Sequence, residues 1–267
     1  MAPDRVTGVS DADAMTLDPS TLDDHDFAVW AAEQAGAALL RVRVEGLEGK
    51  ALKDAGDAAA QAVLAGLLAE HRPGDAVLSE EAADDSTRLE ASRVWIIDPL
   101  DGTREFSEPP RDDWAVHVAL WQDGRLVAGA VAQPALGETF STAAPRVVPA
   151  RTSDRPRIAV SRTRPPAFVE ALAAEIDAEL VPMGSAGVKV MSVVRDVADA
   201  YVHAGGQYQW DNAAPVAVAE AAGLHCSRVD GSPLVYNEAE TSLPDLIVCR
   251  PELAEQIIDF VKRHGID

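Results

Sequence analysis

Apolar positions along the chain recur with two periods, and the switches between them mark out the elements. From residue 24 to 44 the stripe Phe27, Ala31, Ala35 and Leu39 repeats every four residues, the spacing of one helix face. Asp24 stands where a capping carboxylate belongs. "DAAAQAVLAGLLAEH" (57–71) predicts a second helix with Asp57 as its cap, ended by "PGD". Short strand-like runs follow, of which "WAVHVALW" alternates with period two. "AVLS" and "RVWIID" read as strands, "WAVHVALW" and "RLVAGAVAQ" as a hairpin joined through "QDG", and "ETFSTA" as one strand more.

A stretch rich in Pro, Arg and Ser, "AAPRVVPARTSDRPR" (143–157), interrupts the pattern and reads as a domain joint. Beyond it come strand "IAVS", helix 166–177 with Pro at its start, strand "LVPM", helix "SAGVKVMSVVRDVA" and strand "DAYVHA". Helix "DNAAPVAVAEAAG" closes at Gly223, strand "PDLIVCR" follows, and a last helix, 252–264, closes at Gly265. Helices and strands mix on both sides of the joint, so the fold class is α/β (α+β). The expected organisation is a flexible polar tail over 1–20, an N-terminal half over 21–145 and a C-terminal half over 157–267.

Composition narrows the function classes. With 47% hydrophobic and 25% charged residues over 267 positions, the chain has the make-up of a soluble globular protein with one large core or two modest ones. No apolar run approaches the roughly 18 residues of a membrane span, and the first twenty residues lack the apolar core of a secretory signal. The expected setting is the cytoplasm, with no membrane partner. Cys226 and Cys249 lie in apolar strand contexts outside any CxxC pair and are expected to be free, buried thiols. A net charge of −21 argues against a nucleic-acid polymer as partner. It also means that an anionic substrate has to be met by local arginines or bound metal. Only four of the 23 basic residues are lysines, namely Lys50, Lys53, Lys189 and Lys262.

The chemistry concentrates in "VWIIDPLDGTREF" (94–106). A buried strand that delivers Asp98 and Asp101 to its end carries a desolvation cost unless a cation compensates. Hard divalent cations take oxygen ligands, and Mg²⁺ uses one or two carboxylates with water and substrate phosphate. Pro99 fixes a turn in which Asp98, the Leu100 carbonyl and Asp101 converge, and Gly102-Thr103 offers backbone N–H groups to a phosphate. A polar turn with a capping Asp reads the same letters without a ligand. Three more acidic signals stand elsewhere: Glu80-Glu81 after the strand "AVLS", Asp211 in "WDNAAP", and Asp57 in "KDAGDAAAQ". Each alone also reads as a solvated pair or a helix cap.

Taken together and in this order, "SEE", "WIIDPLDGT" and "WDNAAP" resemble the inositol monophosphatase-like superfamily of metal-dependent phosphatases, from about residue 25 to 250. "GSAGVKV" and "DVADAYVHAG" resemble its second half. The resemblance implies a layered αβαβα sandwich of the inositol monophosphatase and fructose-1,6-bisphosphatase type, with the site between the halves. It implies Mg²⁺, two or three ions: Glu80, Asp98 and the Leu100 carbonyl on one, Asp98, Asp101 and Asp211 on a second, and a third near Glu80. It assigns Asp57 and Thr103 to orienting a metal-activated water, and the N–H groups of Gly102 and Thr103 to the phosphate. Li⁺ is the inhibitor it implies, and relatives occur as monomers or homodimers.

Two departures from the inositol branch select a substrate class. Arg104-Glu105 replaces Thr-Asn after the DGT turn, and Ala204 stands seven residues before Asp211, where that branch carries a Glu for inositol hydroxyls. Without this acceptor, ligand hydroxyls go unpaired. "DGTREF" resembles the bacterial 3′(2′),5′-bisphosphate nucleotidase branch, which implies hydrolysis of the 3′-phosphate of adenosine 3′,5′-bisphosphate, or of its phosphosulfate analogue, in the clearing of a sulfate-assimilation by-product. Gly184, Ser185 and Lys189 resemble the family's substrate wall. Lys189 is an anion partner or a snorkelling helix Lys. Arg104 either contacts the second phosphate or pairs with Glu105 or Glu108. His203 and Tyr208 line the nucleoside side or simply pack. The same-class alternative is an inositol-1-phosphate or fructose-1,6-bisphosphate phosphatase. The alternative of another class is a non-catalytic nucleotide or metal sensor, which predicts a damaged acidic set.

Overall fold

The computed structural model describes residues 18–266. Most of the expected tail lies outside the described residues; at its end Asp18 caps a 3-10 turn over Pro19–Thr21. Two long helices follow, α1 (Asp24–Arg43) and α2 (Gly49–His71). Both revise the expected caps. Asp23 caps α1 by accepting from the Asp26 N–H at 2.9 Å, while Asp24 is drawn into a forked ion pair with Arg93. α2 begins eight residues before Asp57, which therefore sits mid-helix. Leu52, Gly56, Ala60, Leu64 and Leu68 form its buried stripe, with Gly56 a contact point rather than a breaker. A Cβ there would meet the Phe106 ring at 2.6 Å.

The first sheet holds β1 (Ala76–Ser79), β2 (Arg93–Asp101), β3 (Ala115–Gln122), β4 (Arg125–Gln133) and β5 (Glu138–Ser141), in that order across the sheet. β1 runs parallel to β2 and the other pairs are antiparallel. A one-turn helix, α3 (Thr103–Phe106), follows β2. After the extended stretch at the expected joint come β6 (Arg157–Ser161), α4 (Ala167–Glu175), β7 (Glu179–Met183), α5 (Ala186–Val194), β8 (Ala200–Ala204), α6 (Gln209–Ala221), β9 (His225–Ser227), β10 (Asp245–Cys249) and α7 (Pro251–His264). The second sheet has the order β7-β6-β8-β10-β9.

Strand alternation turns these elements into layers. Trp95, Ile97, Val116, Val118 and Leu120 face α1 and α2. Val94, Ile96, Ala115, Ala119 and Val131 face the other way and share a core with α5 and α6. That core also takes in Ala159, Tyr201, Leu246 and Val248 of the second sheet. The sheet's far face, with Ile158, Val202, Ile247 and Cys249, packs on α4 and α7. The result is the five-layer αβαβα sandwich. Each sheet is built from one side of the joint, but α5 and α6 put a single core between them. Cys226 and Cys249 are free thiols; Cys249 is buried as expected, whereas Cys226 is only partly so.

Candidate active site

An irregularity in the β2–β3 ladder makes the site. Asp98 is paired with His117 and Asp101 with Ala115, so three steps along β2 match two along β3. In a regular strand positions 98 and 101 face opposite sides of the sheet; the extra residue of a bulge brings both to one face. That face is the one covered by α5 and α6. Gly102, at φ 87°, then turns the chain from strand into α3. A Cβ there would be strained by the backbone angle and would stand 3.1 Å from the Ser185 Cβ. Thr103 becomes the first residue of a helical turn, whose leading N–H groups have no helical acceptor.

Asp211 comes from α6. It is the third residue of the helix rather than its cap, and its carboxylate reaches back to the Tyr208 N–H at 2.6 Å. One carboxylate oxygen from each of Asp98, Asp101 and Asp211 lies within 4.8 Å of the others. Their environments differ. Asp98 accepts from the Leu100 N–H through Oδ1, whereas its Oδ2 is buried with no hydrogen-bond partner among the described residues. Burial, then the charges of Glu80 and Asp101, pushes its carboxyl well above the ordinary range. Burial and the Asp101 charge push Asp211 up to about 6. Asp101 is buried too, but His117, the Ser185 hydroxyl and the nearby Lys189 charge outweigh that penalty and hold it down at about 2. It accepts from the Ser185 hydroxyl, from the Ala186 N–H at 3.0 Å and from the Gly187 N–H at 2.6 Å, at the start of α5. An orphaned carboxylate oxygen beside two further carboxylates is a donor set that fits a hard divalent cation.

Glu80 is exposed and lies outside the close trio. Partial burial, then the charge of Asp211, pushes it up to about 7. Asp57 is half-buried on α2 and is pushed up to about 6 by burial, then by Glu81 and Asp54. Thr103 does not hydrogen-bond to it. The Thr103 hydroxyl donates instead to the Leu100 carbonyl at 3.2 Å, because both belong to the same tight turn.

A cavity of about 560 Å³ opens beside the trio, lined by Asp101, Asp211, Ser185, Lys189, His203 and Ala204 among others. Its size suits a small organic phosphate. The expected substrate wall is less free than its sequence implies. The Ser185 hydroxyl is spent on Asp101, and its oxygen also accepts from the Val188 N–H at 2.9 Å. Gly184 is covered by Glu105 and donates to Asp113 at 2.6 Å. Lys189 is buried, donates to the Ser185 carbonyl, and lies 5.3 Å from the Tyr201 ring, so snorkelling is ruled out. Burial pushes its ammonium below the usual range. Ala204 offers the cavity a methyl group and His203 an imidazole bonded to the Gly205 carbonyl at 2.6 Å. Tyr208 is exposed and outside the cavity lining, with its ring stacked on Trp210 at a centroid distance of 4.8 Å. Arg104 is exposed and forms no ion pair with Glu105 or Glu108; Arg162 has taken both, at 3.0 and 2.7 Å.

His117 is the site residue that the sequence reading passed over. It is fully buried, with Nδ1 3.1 Å from the Trp210 carbonyl and Nε2 3.3 Å from Asp101 Oδ2. A carbonyl accepts, so Nδ1 carries a proton. One imidazole thus ties β3 to the start of α6 while abutting Asp101. Its signal was present: a histidine on the inward parity of "WAVHVALW".

Comparison with known proteins agrees with this geometry. The model of the inositol monophosphatase family matches residues 26–265. A Mycobacterium bovis protein named 3′-phosphoadenosine 5′-phosphate phosphatase is 50% identical over 237 residues, 85% of this chain and 89% of that protein. The 3′(2′),5′-bisphosphate nucleotidase CysQ of Escherichia coli is 32% identical, covering 71% of this chain and 81% of its own. Among solved structures, inositol monophosphatase II of Staphylococcus aureus superposes with a TM-score of 0.77 at 21% identity over 90% of this chain and 95% of that one. CysQ from Bacteroides thetaiotaomicron does so with 0.72 at 25% identity over 84% and 95%. The bulged DPLDGT strand, the converging carboxylates and the five layers are therefore those of a family member: the chain belongs to the inositol monophosphatase family.

Proposed function

We propose that the protein is a Mg²⁺-dependent phosphatase that removes the 3′-phosphate of adenosine 3′,5′-bisphosphate, giving adenosine 5′-monophosphate and phosphate, and that acts in the same way on the 5′-phosphosulfate analogue. The observation that carries this reading is the orphaned Asp98 oxygen among converging carboxylates, beside a cavity in which Ala204 replaces an acidic partner for polyol hydroxyls. The 50% identity to a protein named for this activity points the same way.

Asp98, Asp101 and Asp211, with Glu80 and the Leu100 carbonyl, are the groups that would hold the metal. When bound, Mg²⁺ supplies charge neutralisation for the phosphoryl oxygens and lowers the pKa of water. The chain's own residues do the rest. Gly102 and Thr103 present backbone N–H groups to the phosphoryl oxygens. Asp57, with its raised pKa, is suited to accepting a proton from water near neutral pH, and Thr103 lies in the adjacent turn to orient that water. Releasing Thr103 from the Leu100 carbonyl frees both groups for these roles. Li⁺ is expected to lower turnover at saturating Mg²⁺. The two unpaired thiols fit a reducing, cytoplasmic setting.

The test is phosphate release from adenosine 3′,5′-bisphosphate with Mg²⁺ or chelator, with the nucleotide product separated by chromatography. Metal-dependent release of adenosine 5′-monophosphate is expected. Metal-independent turnover, or a 3′-monophosphate product, would overturn the reading.

A further inference from the structure

The cavity beside the trio continues into a second cleft that shares Gly102, Ser161, Arg164, Ser185 and Lys189 with it. Three arginines line this second cleft, and they are not equivalent. Arg162 is neutralised by Glu105 and Glu108. Arg104, on α3, and Arg164, in the loop between β6 and α4, are exposed, and neither guanidinium makes an ion pair or hydrogen bond with the described residues. Lys189 cannot substitute for them, since its ammonium is held by backbone carbonyls. In a chain of net charge −21, two uncommitted guanidinium groups lining one cleft, one from each side of the joint, mark a local reversal of sign.

We propose that Arg104 and Arg164 form a second anion subsite, which takes the phosphoryl group of the substrate that is not hydrolysed. Guanidinium groups present planar forked donors that match phosphate oxygens, and a dianion needs more than one of them. The subsite rests on the bisphosphate reading above and gives it a residue-level cause. The carboxylate trio selects for a phosphate monoester of any kind, whereas the arginine pair rewards a second phosphate. Arg162 has a different part: bound to Glu105, which covers Gly184, it braces the cleft floor.

The experiment compares adenosine 3′,5′-bisphosphate with adenosine 3′-monophosphate in wild type, Arg104→Ala, Arg164→Ala and the double variant, at saturating Mg²⁺. Losing charge-assisted bonds to one phosphate should raise KM for the bisphosphate about tenfold in each single variant and more in the double one. Turnover of the 3′-monophosphate should stay within about twofold of wild type, a result that misfolding would not give. Equal losses on both substrates, or an unchanged KM for the bisphosphate, would overturn the subsite while leaving the nucleotidase reading in place. A wild type that does not hydrolyse the bisphosphate would overturn both.

Discussion

Asp98 and Asp101 stand three residues apart and have different tasks. Asp98 holds an orphaned oxygen in a buried place, so its charge is a liability until a cation arrives. Asp98→Asn should lower kcat/KM at least about a hundredfold, as expected for a lost metal ligand, while the metal-free protein melts no earlier than wild type. Asp101 already accepts from three donors at the α5 start, so Asp101→Asn should also destabilise the fold, by about 2–3 kcal/mol in urea unfolding. A finding that both variants leave stability untouched would refute the division of labour. Asp98, Asp101 and Asp211, which the structure brings together, each lie in a motif that can be read locally. His117, Arg164 and the committed state of Lys189 were not legible. Their meaning comes from what other segments place beside them, and local spacing carries no record of that.

At the scale of elements, α5 is the joint between the layers. Its first N–H groups hold Asp101, and Gly187 lets it approach β3 so closely that a Cβ would come within 2.0 Å of His117 Nε2. Gly187→Ala should therefore push α5 off the sheet and cost about 1–3 kcal/mol by chemical denaturation, with a matching loss of turnover. A silent Gly187→Ala would mean that the contact is softer than its geometry states. A second tie links the acidic loop after β1 to α6. Buried Arg88 donates to Asn237 at 2.7 Å, and the Asn237 N–H donates to Gln209 at 2.7 Å. Most strands were readable as short apolar, β-branched runs bounded by turn residues, because both sheets are covered on both faces and their central strands are buried throughout. Helix starts were read less well. Asp57 reads as a cap but sits mid-helix, and the packed Phe106 and Leu100 explain the glycine that precedes it there. The bulge at Asp98–Asp101 was inaccessible to any periodic argument, since it is a change of period.

For the whole molecule, the raised carboxyls make stability a function of pH and metal together. Glu80, at about 7, and Asp211, at about 6, bind protons more tightly in the folded than in the unfolded chain, as does Asp98. Their contribution to the metal-free fold is fully present below the ordinary carboxylate range and is lost as pH rises towards about 7. A cation that binds the ionised forms reverses this trend. The rise in Tm on adding Mg²⁺ should grow from pH 5.5 to 7.5 and should be lost in Asp98→Asn; a Mg²⁺ effect that shrinks with pH would contradict the site. The five-layer architecture was foreseen through resemblance rather than periodicity, because no local pattern states which faces meet. A phosphatase built for a nucleoside carrying two phosphates is distinguished by the ratio of kcat/KM for adenosine 3′,5′-bisphosphate to that for inositol-1-phosphate at saturating Mg²⁺. A ratio of at least about a hundred is expected from the unpaired inositol hydroxyls and the arginine pair. A ratio of one or below would contradict it.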